Sequence, residues 1–224
     1  MKLIFLGAPG AGKGTQAQIL SEALCIPRLS TGDILRKEIA DSTNLGLKIQ
    51  KIMDSGDLVS DDIMIQLVEK RVSQSDTKNG FIIDGFPRTL PQAEALQPIL
   101  EGLTHIDGET YVINLSVRES ELIKRFTGRF SCANCGALYH KEYKKPEVQG
   151  VCDKCSATDF IIRNDDNDES VKLRLKIYAE KTAPLIDYYN SKGMLISVMG
   201  EQEIHEITVD IMSAIKFHGD RVVM

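Results

Sequence analysis

Short apolar runs alternate along the chain with longer stretches in which apolar residues recur every three or four positions. The first run, residues 2–6, stops at a glycine and is followed by a stretch of helical period at residues 13–24. Further runs of strand length lie at residues 80–84, 110–115 and 194–198, with helical patterns between them. This alternation predicts an α/β fold in which helices cover both faces of a parallel sheet.

Two stretches interrupt this alternation. Residues 30–59 contain two short helical patterns, between a brief strand at residues 28–29 and a helix that starts after Ser60. Residues 128–166 are rich in polar residues and have little helical period, which predicts a separate small module. The pattern at residues 169–189 predicts a helix that Pro184 bends.

The composition is ordinary for a folded protein and limits the classes of partner. Of the 224 residues, 42% are hydrophobic and 26% are charged, and the formal net charge is −5. A dedicated nucleic-acid binder needs a basic surface, so we expect no nucleic-acid partner and only local phosphate binding. No apolar run has the length of a membrane span or a signal-peptide core, so we expect no membrane partner and a cytoplasmic location.

A glycine-rich loop joins the first predicted strand to the first helix. Residues 7–15 read GAPGAGKGT, in the strand-loop-helix context of a P-loop. Glycines let backbone N–H groups surround phosphate oxygens, the helix N-terminus adds a positive dipole, and Lys13 reaches the outer phosphates. The general pattern has Ser or Thr directly after the lysine, whereas here Gly14 precedes Thr15. The loop therefore predicts a nucleotide-phosphate site of a variant type.

Further arginines lie outside this loop, within short motifs. Residues 30–36 read STGDILR, residues 84–89 read DGFPRT, and residues 124–129 read KRFTGR. The planar guanidinium holds phosphate oxygens with two hydrogen bonds and keeps its charge. Asp84 ends an apolar strand, which is where ligand sites of α/β folds are found. These motifs predict a second phosphate site beside the first.

These motifs, in this order over residues 1 to about 217, resemble the adenylate kinase family. The resemblance implies a P-loop NTPase-type parallel five-stranded sheet flanked by helices, with an AMP-binding helical insertion and a zinc-bearing lid. It implies a core of residues 1–29, 60–127 and 167–224, a flap of residues 30–59 and a lid of residues 128–166. The implied reaction is transfer of the terminal phosphoryl group of Mg-ATP to AMP, giving two ADP.

The resemblance also assigns site residues. The residues implied to bind ATP are Gly10, Ala11, Gly12, Lys13, Gly14, Thr15, Arg125, Arg129, Leu138, Tyr139 and Gln202. Those implied to bind AMP are Thr31, Arg36, Asp57, Leu58, Val59, Gly85, Phe86, Pro87, Arg88, Gln92, Arg163 and Arg174. Those implied to neutralise the transferring phosphates are Lys13, Arg36, Arg88, Arg129, Arg163 and Arg174, with Asp84 holding Mg²⁺ through water. Gln202 departs from the family, where lysine is common, but only its backbone is expected to contact adenine.

Four of the five cysteines form two Cys-x-x-Cys pairs. Cys132 and Cys135 are separated from Cys152 and Cys155 by the sixteen residues 136–151. This spacing predicts one structural Zn²⁺ bound by four thiolates. Two disulfides, or a lid held by hydrogen bonds without metal, are the alternatives. Cys25 stands apart, and we expect it to be a small buried residue.

Two other functions compete with this interpretation. The chain could be a uridylate, cytidylate or guanylate kinase, or prefer GTP as donor, although Thr31 and Gln92 favour AMP. It could instead be a non-enzymatic ATP-binding switch whose four-cysteine module contacts nucleic acid or protein. The acidic balance and the extra arginine motifs count against the switch. We expect ATP, AMP and ADP as small-molecule partners, and a monomer, as is usual in the family.

Overall fold

The computed structural model describes residues 1–41, 44–55, 57–162 and 168–220. The strands are β1 (Lys2–Gly7), β2 (Arg28–Ser30), β3 (Phe81–Asp84), β4 (Thr110–Ser116), β5 (Arg129–Cys132), β6 (Leu138–His140), β7 (Phe160–Ile161) and β8 (Leu195–Met199). The α-helices are α1 (Lys13–Leu24), α2 (Thr31–Ala40), α3 (Asn44–Asp54), α4 (Asp61–Val72), α5 (Leu90–Gly102), α6 (Glu119–Thr127), α7 (Asp168–Ile177), α8 (Pro184–Ser191) and α9 (Ile204–Asp220). A short 3₁₀ turn lies at Ser75–Thr77 and a π turn at Tyr178–Thr182.

The main sheet has five parallel strands in the order β2-β3-β1-β4-β8, which confirms the predicted sheet. Phe5 of β1 is in register with Asp84 of β3, and Gly7 is in register with Leu115 of β4. The carboxyl ends of these three strands therefore meet at one edge of the sheet. The glycine-rich loop and Asp84 both lie at this edge.

Helices bury both faces of the sheet. Ile4 and Leu6 of β1 pack into a core with residues of α4, α5 and α8, while Leu3 and Phe5 pack into a second core with residues of α1 and α9. Burial of each such side chain contributes about 1.5–3 kcal/mol. Because successive side chains of a strand point to opposite faces, the continuous apolar run of β1 serves both cores.

A second, smaller sheet contains the cysteine-rich part of the chain. Strands β6, β5 and β7 pair antiparallel within residues 129–161. The rings of Phe130, Tyr139 and Phe160 pack with centroids 5.4–5.6 Å apart. The core of this sheet is small, so aromatic packing and the cysteines have to hold it.

Two local predictions need correction. The helical pattern at residues 169–189 forms α7, a π turn and α8, with Pro184 as the first residue of α8. Proline suits that position because its missing N–H has no partner in a first helical turn. The prediction of a buried Cys25 is wrong, since Cys25 is exposed and ends α1 in the left-handed region at φ 54°. Among the described helices, none combines the length and apolar character needed to cross a membrane.

Candidate active site

The glycine-rich loop wraps around the start of α1. Gly12 caps that helix at φ 94°, a conformation that glycine adopts without strain. The Lys13 ammonium folds back over the loop and donates to the carbonyl oxygens of Gly7 at 2.7 Å and Ala8 at 2.9 Å. The first N–H groups of a helix have no partner within the helix, and the Lys13 side chain lies beside those of α1, as an anion site requires.

Gly14 lies where side chains from three segments converge. A Cβ added at this position would lie 3.1 Å from Arg28 Nη2, 3.1 Å from Leu138 Cδ1 and 3.3 Å from Asp84 Oδ2. Such contacts are tighter than most Cβ contacts in proteins, so a larger residue would displace its neighbours. This crowding gives a physical reason for the departure from the general P-loop pattern.

Lys13 lies in a field of positive charge. The pKa of Lys13 is lowered to about 7, mainly by burial; Asp84 opposes this shift, and the charges of Arg88, Arg174 and Arg129 contribute to it. The three arginines come from different parts of the chain, and all three line the same cavity as Lys13. A cavity lined by several cationic side chains attracts a ligand with several negative charges.

Asp84 and Arg28 form an ion pair at the end of the sheet. Arg28 donates to Asp84 Oδ2 through Nη2 at 2.7 Å and through Nε at 3.2 Å. Asp84 is 9% exposed, and the Thr31 hydroxyl donates to its backbone carbonyl at 3.3 Å. The buried carboxylate is thereby held at the edge where the phosphate loop lies.

One side of the cavity is built from α2 and the start of α5. Arg36 forms a hydrogen-bonded ion pair with Asp33 on α2. Arg88 donates through Nε to the carbonyl of Gly85 at 2.8 Å. Gln92 is buried and accepts the backbone N–H of Arg88 at 2.8 Å. This side therefore combines two guanidinium groups with a planar amide.

The opposite side is built from α6, the small sheet and the start of α9. Arg125 donates to Glu121 at 3.1 Å and to the carbonyl of Gly200 at 2.6 Å. Its guanidinium lies over the ring of Tyr143, 5.4 Å from the centroid, and the Tyr143 hydroxyl donates to Glu121 at 2.8 Å. Leu138 adds an apolar surface. A flat, weakly polar group fits such surroundings.

Both sides belong to a cavity of about 460 Å³, a size typical of ligand sites. The predicted site residues that line it are Gly10, Ala11, Gly12, Lys13, Gly14, Thr15, Thr31, Arg36, Asp57, Leu58, Val59, Asp84, Gly85, Arg88, Gln92, Arg125, Arg129, Leu138, Tyr139, Arg174 and Gln202. Pro87 lines a smaller neighbouring cavity of about 70 Å³, and Phe86 is buried in the core. Arg163 lies outside the described residues.

The cavity also contains residues that the motifs did not indicate. Arg28, Glu121, Tyr143 and Glu201 line it. For Arg28 the sequence shows only a charged residue at the start of a short strand; its contact with Asp84 depends on the pairing of β2 with β3. For the other three, the sequence offers no local signal, since they approach the cavity only through packing of distant segments.

The cysteine pairs form two similar loops. The N–H of Cys132 donates to Ala137 and the N–H of Gly136 donates to Cys132, and the same pattern recurs at Cys152, Ser156 and Ala157. The four sulfur atoms lie within 4.8 Å of one another, with Cys132 to Cys155 at 3.6 Å and Cys135 to Cys152 at 3.5 Å.

All four thiols are free, and these distances are far longer than a disulfide bond. Zn–S bonds of about 2.3 Å in a tetrahedron require sulfurs about 3.8 Å apart. A hydrogen bond from the Tyr139 hydroxyl at 3.4 Å is the main cause that lowers the pKa of Cys152, whereas burial raises the pKa of the neighbouring Cys135. The arrangement therefore fits a tetrahedral metal ion, and no disulfide joins these cysteines.

Comparison with known proteins agrees with this geometry. The family model of adenylate kinase matches residues 5–194. An adenylate kinase of Caldicellulosiruptor bescii is 49% identical over 216 residues, which cover 96% of this chain and 99% of that protein. One from Allorhizobium ampelinum is 50% identical, covering 94% and 97%, and one from Methanocella arvoryzae is 46% identical, covering 96% and 99%.

Proposed function

This chain belongs to the adenylate kinase family, and from that premise we propose that its cavity binds Mg-ATP and AMP side by side and transfers the terminal phosphoryl group to AMP. The chain is a nucleoside monophosphate kinase, and the products are two ADP. One observation carries the assignment of the site: Lys13 of the phosphate loop shares its cavity and its electrostatic field with Arg88, Arg129 and Arg174.

Catalysis in this proposal is alignment and charge neutralisation. The attacking group is a phosphate oxygen of AMP, already anionic near neutral pH, so no residue has to act as general base. Lys13, Arg36, Arg88, Arg129 and Arg174 are proposed to neutralise the negative charge of the transferring phosphoryl group. Arg163, outside the described residues, is proposed to join them.

Magnesium enters with ATP, as the family implies. When bound, it neutralises phosphate charge and helps to orient the phosphate oxygens. We propose that Asp84 holds it through water. The position of this buried carboxylate at the strand end, within the electrostatic field of Lys13, supports that role, since Mg²⁺ prefers oxygen ligands.

The two sides of the cavity are proposed to take different nucleotides. The α2 and α5 side, with Thr31, Arg36, Arg88 and Gln92, is assigned to AMP, because it pairs guanidinium groups with a buried amide that can read a base edge. Asp57, Leu58, Val59 and Gly85 are assigned to the same pocket; for Phe86 and Pro87 we propose only a supporting role behind it.

The side lined by Arg125, Leu138, Tyr139 and Gln202 is assigned to the ATP base.

We also propose the three-part organisation expected from the family. Residues 30–59 form the flap, residues 128–166 form the lid, and residues 1–29, 60–127 and 167–224 form the core. The separate hydrogen bonding of β5, β6 and β7 supports an independent lid, which would exclude water from the phosphates on closing. Asp165 and Asp166, proposed to support the lid arginines, lie outside the described residues.

Zinc is the metal that we propose for the four cysteines. Four sulfur ligands leave no position open for water, so the ion would be structural. We further propose a cytoplasmic location, where thiols stay reduced, and a monomer. The described part of one chain lines both sides of the cavity, which supports a site formed within one subunit.

The test is formation of ADP from ATP and AMP by the purified protein. Initial rates with AMP, UMP, CMP and GMP as acceptors, and with ATP and GTP as donors, would separate this function from that of a related kinase. AMP is expected to be the best acceptor. Binding of ATP without AMP-dependent turnover would favour a switch protein and contradict the proposal.

A further inference from the structure

The side-chain amide of Gln92 is held from two sides in the wall of the cavity. Its Oε1 accepts the backbone N–H of Arg88 at 2.8 Å, and its Nε2 donates to Oδ1 of Asp61 at 2.7 Å. Gln92 is only 2% exposed. A backbone N–H can only donate and a carboxylate can only accept, so these partners permit one of the two amide orientations.

Asp61 is itself fixed in place. It is the first residue of α4, where a carboxylate is favoured by the helix dipole. Its Oδ2 accepts the Thr89 hydroxyl at 3.0 Å, and Thr89 also caps α5 by accepting the N–H of Gln92 at 3.3 Å. Asp61 is not among the described residues that line the cavity, so it would influence a ligand through Gln92.

The backbone of Arg88 is held equally well. The Thr182 hydroxyl donates to its carbonyl at 2.8 Å, and its guanidinium Nε donates to Gly85. The N–H that meets Gln92 therefore has a defined position. Rotation of the amide by half a turn would place its NH₂ against this N–H and its oxygen against the carboxylate of Asp61, which costs both hydrogen bonds.

The orientation matters for the choice of base. An amide has a second lone pair on its oxygen and a second N–H on its nitrogen, which are available to a ligand. A 6-aminopurine offers a donor at its amino group and an acceptor at N1, which complements that pair. A 6-oxopurine offers an acceptor at O6 and a donor at N1, which complements only the rotated amide.

We propose that Asp61 is a positioning residue that locks the Gln92 amide and thereby makes the acceptor pocket select 6-aminopurine over 6-oxopurine monophosphates. This inference rests on the proposed function, in which Gln92 faces the acceptor base. It adds a residue outside the cavity that sets specificity through another side chain.

The test compares AMP with inosine 5′-monophosphate, which replaces the 6-amino group by an oxo group. In the variant Asp61→Asn, the amide at position 61 can turn its NH₂ toward Gln92. The rotated Gln92 amide then keeps a hydrogen bond to position 61, so rotation costs less free energy than in the unmodified protein. The ratio of kcat/KM for AMP to that for inosine monophosphate is expected to fall about tenfold or more. The KM for ATP is expected to stay unchanged.

The matched control is Asp62→Asn. Asp62 is the next residue of the same first helical turn and is exposed, so this variant removes the same charge without touching Gln92. Its AMP to inosine monophosphate ratio is expected to equal that of the unmodified protein. Products should be separated by chromatography, because the reaction with inosine monophosphate gives both ADP and inosine diphosphate. Thermal melting of both variants checks the fold.

The outcomes separate the two proposals. An unmodified protein that makes no ADP from AMP would overturn the proposed function and, with it, this inference. An active protein in which Asp61→Asn leaves the ratio unchanged, or lowers both rates equally, would overturn the inference alone. If the variant fails to fold, NMR of the unmodified protein decides. A slowly exchanging Nε2 proton of Gln92 supports a fixed amide orientation. Gln92 side-chain amide protons with random-coil chemical shifts overturn the inference.

Discussion

Lys13 shares its cavity with three arginines. Burial and the charges of Arg88, Arg174 and Arg129 lower its pKa to about 7, from a usual value of 10.5. Its side-chain nitrogen donates to two loop carbonyls, which keeps it in position. A bound polyphosphate would raise the pKa of Lys13, because nearby negative charge favours the protonated amine.

We therefore predict that ATP binding takes up a proton through Lys13. The lowered pKa leaves the amine mostly neutral above about pH 7, and the phosphates raise its pKa, so uptake at pH 8 should approach about one proton per site. Affinity through this group should weaken as pH rises above about 7. Calorimetry in buffers of different ionisation enthalpy measures the uptake.

The control for that measurement is Lys13→Met, which removes the titrating amine while ATP's own titration stays the same. Uptake at pH 8 should be lost in this variant. Equal uptake by both proteins, or none by the unmodified protein, would contradict the prediction.

Arg88 shows why the shape of a cation matters as well as its charge. It lines the cavity and interacts electrostatically with Lys13, and its backbone is hydrogen-bonded to the side chains of Gln92 and Thr182. We predict that Arg88→Ala lowers kcat for AMP-dependent ADP formation by about 10²–10³, with an unchanged melting temperature. Arg88→Lys should recover little, because an ammonium cannot form two parallel hydrogen bonds. Near-normal rates in either variant would refute the site assignment.

At the scale of elements, Gly128 joins α6 to β5 and is in tight contact with the ring of His140 on β6. A Cβ at Gly128 would lie 2.3 Å from His140 Cε1 and 2.4 Å from Nε2, which is too close for any side chain. The ring cannot turn away freely, because its Nδ1 accepts the N–H groups of Glu142 and Tyr143 at 3.0 and 3.2 Å.

We predict that Gly128→Ala destabilises the small sheet by about 1–3 kcal/mol through overpacking. Hydrogen exchange of the β5 and β6 amides measures the loss. The double variant Gly128→Ala with His140→Ala should recover part of it, since the clash then has no partner. Additive effects of the two substitutions would show that the contact does not limit stability.

At the scale of the whole molecule, the described residues form a large sheet with two cores and a small sheet with one minor core. The four cysteines lie only in the small sheet's segment. Metal removal should therefore act on one part of the protein and leave the phosphate loop folded.

We predict about one zinc per chain in protein purified without chelator. Stripping the metal should melt the small sheet at a lower temperature and reduce turnover, while ATP binding that depends on Lys13 persists. Calorimetric melting with and without chelator, together with metal analysis, tests this. Protein without metal that melts identically under both conditions would contradict it.

The sequence by itself determined the parts that depend on local pattern. Apolar runs predicted β1, β3 and β4, because a strand buried on both faces has to be apolar throughout, and a further run predicted β8; the count of five strands came from the family resemblance. The spacing of four cysteines predicted their convergence, since each pair forms a tight loop of its own. The glycine-rich loop was recognisable because all the residues of its motif lie within nine consecutive positions, 7–15.

Only the tertiary structure decided contacts between segments far apart in the chain. Arg28 meets Asp84 because β2 pairs with β3, and Asp61 meets Gln92 because α4 packs beside α5. The exposure of Cys25 and the crowding at Gly14 likewise depend on what packs nearby. Side chains such as these are fixed by the register of strands and the packing of helices, which local sequence pattern does not contain.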